Sequence, residues 1–90
     1  AHHQARIEEM LAALNGQAKT AYEVATKVKW ATGDFTTFGP WMKRAAIGET
    51  LAHLEHMVME GIVERLFENG RQLYPPVPEH VRSDEAALLF

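Results

Sequence analysis

The densest group of chemistry-bearing side chains lies in one stretch, Gly48 to Gly61, which reads GETLAHLEHMVMEG. There His53 and His56 stand three residues apart, between Glu49 and Glu60. Imidazole nitrogen and carboxylate oxygen are both ligands for a divalent ion such as zinc. With Ile47 as origin and 100° per residue, Glu49, His53, His56 and Glu60 fall at about 200°, 240°, 180° and 220°, so a helix carries them as one polar stripe. That spacing permits coordination. It equally describes a solvated helix face, because two histidines at i, i+3 lack a second cluster and a buried shell of partners to orient them. The solvated or docking face is the reading adopted, and no metal site is expected in this chain.

Other reaction chemistries find less support. The chain has no cysteine, which removes thiolate ligation, a cysteine nucleophile and a disulfide framework. No glycine-rich phosphate loop, nucleophile motif or H-x-H-x-D-H run is present. Trp30, Phe35, Phe38 and Trp41 could form an aromatic platform for a ligand, but aromatics around a loop in a small domain are expected to be its satellite core. No independent active site is expected.

A DNA-reading helix would present lysine, arginine and asparagine to phosphates and base edges. The polar stripe offers two carboxylates and two largely neutral imidazoles instead. The whole chain holds 9 Lys and Arg against 12 Asp and Glu, a net charge of -3, the opposite of a nucleic-acid footprint. DNA binding would have to use Lys27, Lys29, Lys43 and Arg44 as a basic patch, and nucleic acid is disfavoured as a partner.

The elements that must hold these residues are legible. Ile7, Met10, Leu11 and Leu14 recur at helical spacing, and Asn15-Gly16 supplies a left-handed stop, so a first helix runs from about His3 to Leu14. Thr20-Ala21-Tyr22-Glu23 is a capping box that starts a second helix at Ala21. Its inward stripe is Ala21, Val24, Ala25 and Val28, and it should end near Lys29. Trp30 to Gly39 then reads as an ordered, packed-down loop. Pro40 suits the first position of a third helix running to Glu60, with Ile47, Leu51, Leu54, Val58 and Gly61 as its buried line and Thr50 and Met57 flanking it. Asn69-Gly70 between Ile62–Phe67 and Arg71–Tyr74 predicts a two-residue type I′ hairpin with Leu66 opposite Leu73.

Ninety residues with 47% hydrophobic and 23% charged side chains make one ordinary globular domain. No apolar run approaches the roughly 20 residues needed to cross a bilayer, so neither a membrane partner nor a signal peptide is expected. The expected fold is mainly α with a small β-hairpin, a winged helix of three helices plus wing over residues 1–76. Residues 77–90 form a tail, loose or a short helix.

Four segments together, the opening HHQARIEEMLAAL, the box TAYEVA, the helix GETLAHLEHMVMEG continuing into IVER, and the hairpin ENGRQLY, resemble the C-terminal winged-helix domain attached to metallo-β-lactamase-fold hydrolases. The likeness covers roughly residues 2 to 75. It implies that an N-terminal αββα domain of the same protein holds zinc or another divalent metal in an H-x-H-x-D-H motif, and that this chain packs beside it and helps form the substrate cleft. His53, inside GETLAHL, is then the leading position to face that partner, and Glu49, His53, His56 and Glu60 form the expected docking face. The expectation is a non-catalytic, cytoplasmic module, excised from a metal-dependent hydrolase. The alternative is a small winged-helix transcription regulator.

Overall fold

The structure, a computed structural model, describes residues 2–79 and 81. The chain forms three α-helices, α1 (His2–Leu14), α2 (Ala21–Lys27) and α3 (Pro40–Met59), with a short 3-10 turn at Phe35–Thr37 between the second and third. Two short antiparallel strands follow, β1 (Leu66–Glu68) and β2 (Arg71–Leu73). The greater part of the tail proposed for residues 77–90 lies outside the described residues.

Local chemistry accounts for the boundaries. Asn15 and Gly16 take φ of 50° and 73°, the left-handed stop of α1, and the Lys19 ammonium adds a 2.7 Å hydrogen bond to the Ala13 carbonyl. The capping box forms in full: the Glu23 N–H donates to Thr20 Oγ1 at 3.1 Å and the Thr20 N–H donates to Glu23 Oε1 at 2.9 Å. Donation by the Thr20 N–H is the main cause that holds the Glu23 carboxyl below its ordinary range. Helix α2 ends at Lys27, two residues before the expected Lys29, because Val28 turns to an extended ψ of 143° and caps it.

Pro40 opens α3 as expected. At its end the Ile62 N–H bonds the Met57 carbonyl at 2.9 Å and the Gly61 N–H bonds that of Val58 at 3.0 Å. With Gly61 at φ 77°, this is a Schellman stop. Gly61 is therefore an exposed cap and not a member of a buried line.

The hairpin register is the expected one, Leu66 opposite Leu73. Asn69 and Gly70 both take positive φ, 54° and 77°, as a type I′ turn requires. The paired strands are shorter than the sequence suggested. Instead, Ile62 to Arg65 run back along Pro75 to Val77, with the Glu64 N–H on the Pro75 carbonyl at 2.8 Å and the Val77 N–H on that of Ile62 at 2.9 Å. Tyr74 N–H to Lys19 carbonyl, 2.9 Å, ties this hairpin base to the α1–α2 connection.

Two clusters fill the interior. The larger joins Ile7, Met10 and Leu14 of α1, Val24 and Val28 of the second-helix region, Leu54 and Met57 of α3, and Val63 and Tyr74 of the hairpin base. The smaller packs Phe35 and Phe38 against Ala25 and Ala46. The loop is thus packed down, although only part of the aromatic quartet is core. Phe35 and Phe38 are buried, Trp30 is half-buried with its indole N–H on the Ala25 carbonyl at 3.0 Å, and Trp41 is 77% exposed.

The buried line of α3 differs from the expected one. Ala46, Thr50, Leu54 and Met57 are inside, while Leu51 is 40% exposed and Ile47 and Val58 are half-buried. The line is rotated by about 75° from the Ile47–Leu51–Leu54–Val58 stripe at 100° per residue. Bulk explains the shift: the loop brings two phenylalanines against the N-terminal half of α3, so the residue that faces them is the small Ala46.

Candidate docking surface on the third helix

Rotating the buried line changes what α3 shows to its surroundings. It carries a buried sector around Leu54, a polar sector, and an apolar one. The polar sector is the predicted stripe. It stands on the flank of α3, about 85° round from the centre of the buried line, and not opposite the core.

On that flank, Glu49 meets α1: the Arg6 guanidinium lies 3.6 Å from the Glu49 carboxylate and 3.2 Å from that of Glu9. The same guanidinium stacks over the Trp30 ring at 5.3 Å. His56 Nε2 and the Glu60 carboxylate are 3.4 Å apart, a pair that carries full charge only when the imidazole is protonated. His53 is half-buried. The structure thus brings Glu49, His53, His56 and Glu60 onto one helix flank. Among the described residues no group of three or more His, Cys, Asp or Glu side chains could hold a metal ion.

The four basic residues do not gather at one place. Lys27 and Lys29 join Lys19 along an open cleft of about 520 Å³ by the end of α1, which neither Lys43 nor Arg44 lines. Lys43 lies over the Phe35 ring at 5.6 Å, and Arg44 is exposed on α3.

The remaining sector holds Trp41, Ala45, Gly48, Ala52 and Met59, all exposed, with Trp41 at 77% and Met59 at 83%. Neither the packing expected of Trp41 in the loop core nor the Ile47–Leu51–Leu54–Val58 line, about 120° round the helix, points to this face. A signal existed. Apolar residues of α3 occur on all sides of the helix, a pattern that a single buried stripe does not explain.

A polar cluster that sequence reasoning also missed fastens the hairpin to α3. The Glu55 carboxylate accepts from Arg65, whose Nε lies at 3.1 Å and whose terminal nitrogen is closer still, and from the Tyr74 hydroxyl at 2.5 Å. Gln72 Nε2 donates to the Tyr74 oxygen at 2.6 Å. The Arg65 and Tyr74 donors hold the Glu55 carboxyl below its ordinary range. Burial, then the Glu55 bond, pushes the Tyr74 hydroxyl up. These groups are satisfied by one another, which makes the cluster a clamp and not a reactive centre. Its other members lie 10 to 19 residues from Glu55 in sequence, beyond the reach of any local pattern.

Among the described residues no helix is long and apolar enough to cross a membrane. No protein-family model matches the chain, and comparison with curated proteins and with solved structures yields no significant match.

Proposed function

We propose that this chain is a non-catalytic winged-helix module of a cytoplasmic metallo-β-lactamase-fold hydrolase, docked beside the catalytic domain and helping to form its substrate cleft. The order of elements supports the winged-helix reading: three helices with the third longest, then an antiparallel hairpin. The resemblance of the four segments supplies the family. The observation that carries the docking role is the flank of α3, where Glu49, His56 and Glu60 have side chains 49%, 47% and 41% exposed beside the half-buried His53. A row of carboxylates and imidazoles is suited to polar pairing at the rim of a protein interface. It repels a phosphate backbone, which places the transcription-regulator reading second. The metal, zinc or another divalent ion, belongs to the partner domain.

The natural reading frame gives the first test. An upstream region of roughly 150 or more residues, the size of an ordinary domain, supports the module, and a frame that ends after about 90 residues refutes it. Given such a region, the catalytic domain expressed separately should bind this chain, and Glu49→Lys together with His53→Ala should weaken that binding. Micromolar, sequence-selective binding of duplex DNA at neutral pH, weakened by Lys43→Ala or Arg44→Ala, would instead establish the regulator.

A further inference from the structure

We infer that the cavity between the Trp30–Gly39 loop and the first half of α3 binds a small soluble quaternary ammonium compound, its methylated nitrogen held by tryptophan rings and the Glu49 carboxylate. The inference stands apart from the proposed function. Glu49 is shared with the docking flank, but ligand binding is read on this chain alone, so either assignment can fail without the other.

Three observations support this ligand. The first is the kind of wall. The cavity measures about 290 Å³, and Trp30, Phe38, Trp41 and Met42 line it together with Ala46 and Glu49. That volume is near the lower end for small-molecule sites, which suits a compact headgroup better than an extended chain. Aromatic ring faces attract cations, tryptophan most strongly, and a methionine adapts its shape to what it packs against. Much of the wall is fixed in advance. The Trp30 indole N–H is tied to the Ala25 carbonyl at 3.0 Å, and Phe38 and Ala46 belong to the smaller core cluster. A ligand therefore has little left to order. Trp41, 77% exposed, leaves its ring open to that ligand.

The second is charge. Among the described residues that line the cavity, Glu49 alone is charged. Arg6 does not cancel it. The Arg6 guanidinium donates a hydrogen bond to Glu9 at 3.2 Å and stands 3.6 Å from the Glu49 carboxylate, beyond hydrogen-bond distance. Two carboxylates thus share one cation, and one negative charge is left over at the wall. Lys43 and Arg44, next to Met42 in sequence, do not line the cavity, and Lys43 lies over the Phe35 ring instead. Arg6 also demonstrates the chemistry. It is a cation set 5.3 Å from the Trp30 ring and close to Glu49, and it does not itself line the cavity.

The third is hydrogen bonding. Apart from the two indoles, Thr32 and Glu49 are the polar side chains among the described residues lining the cavity. A primary ammonium brings three N–H donors and a guanidinium five, and donors taken from water without partners are costly. A quaternary ammonium has no N–H to satisfy. Ring faces and one carboxylate meet its whole demand, and its methyl groups bury apolar area besides.

Choline chloride is the probe, titrated at constant ionic strength into isotope-labelled chain and followed by NMR. Saturable shifts are expected at Trp30, Trp41 and Glu49, with Kd on the order of 1 mM, as suits a ligand of few atoms in an open site. The neutral analogue with a tert-butyl group in place of trimethylammonium should bind roughly tenfold more weakly, and so should ethanolamine. Trp41→Ala should weaken choline binding roughly tenfold and Glu49→Gln about threefold. Arg6→Gln removes the cation that shares Glu49 and the Trp30 ring, and should tighten binding about twofold. If a variant fails to fold, the wild type's preference for choline over its neutral analogue still decides. Absence of saturable shifts well above that Kd, equal affinity for the neutral analogue, indifference to Trp41→Ala in a folded variant, or shifts centred elsewhere on the surface would each overturn the proposal. So would recognition confined to phosphatidylcholine vesicles or to trimethyllysine peptides with free choline inert, which would assign the site to a lipid or a protein.

Discussion

Helix α3 has two apolar sides with opposite fates. Ala46, Thr50, Leu54 and Met57 are buried along one. Along the other, about 175° round, Trp41, Gly48, Ala52 and Met59 stand in solvent. Counted by hydrophobicity the exposed side is as good a core as the buried one. What separates them is fit. The buried side places small residues where Phe35 and Phe38 press against α3, and large ones where α1 and the hairpin base leave room. An interior is a matter of filled volume as much as of apolar character.

The largest effect expected from this contrast is at Leu54, fully buried in the main cluster. Leu54→Ala should destabilise the chain by about 3 kcal/mol, read from urea unfolding followed by circular dichroism. A loss below about 1 kcal/mol would mean that the buried sector is misplaced.

Next in size is the clamp that closes the hairpin against α3. Tyr74→Phe keeps the ring in the core and removes the hydroxyl that donates to Glu55. The expected cost is about 1 kcal/mol, toward the low side for a charged acceptor because the Glu55 side chain is 35% exposed. The pH dependence has a definite sign. The folded Glu55 carboxyl titrates below its ordinary value of 4.5, so its contribution is fully present above that value and is lost as pH falls through the lower one. The gap between wild type and Tyr74→Phe should therefore narrow from pH 7 to pH 3. The Tyr74 hydroxyl, raised above 10.0, keeps its contribution below pH 10.0 and loses it as pH rises through the raised value. A gap that widened in acid would place the hydroxyl's partner elsewhere.

What the sequence made legible is whatever has a local cause. The Thr20–Glu23 box, the Asn15-Gly16 stop, Pro40 at the head of α3 and the Asn69-Gly70 turn each rest on residues within four positions of one another, and each is present. The Leu66–Leu73 register follows from the turn alone. The inward line of α3 has no local cause, since it depends on which distant groups arrive. A helix apolar on several sides offers several lines of similar merit, and Phe35 and Phe38 select the one with Ala46. The Glu55–Arg65–Tyr74 clamp is of the same kind. The polar stripe is intermediate: its four residues share a sector by spacing, while its place beside Arg6 depends on how α1 packs.

Thr50 sharpens the contrast within the buried side. Its hydroxyl oxygen is enclosed and has no hydrogen-bond partner, and such a group costs stability through lost hydration. Thr50→Val keeps the shape and removes the orphaned oxygen, and should stabilise the chain by about 1 kcal/mol in the same urea titration. A destabilised variant would show that the hydroxyl bonds a backbone carbonyl of its own helix, the usual resort of threonine inside a helix.

The smallest effect belongs to the exposed side. Trp41 is the largest side chain on α3, and truncating a tryptophan in a core costs about 3–5 kcal/mol. At 77% exposure little of that area is removed from water. Trp41→Ala should therefore change the unfolding free energy by less than about 0.5 kcal/mol. A large cost of Trp41→Ala would erase the distinction and return this tryptophan to the core.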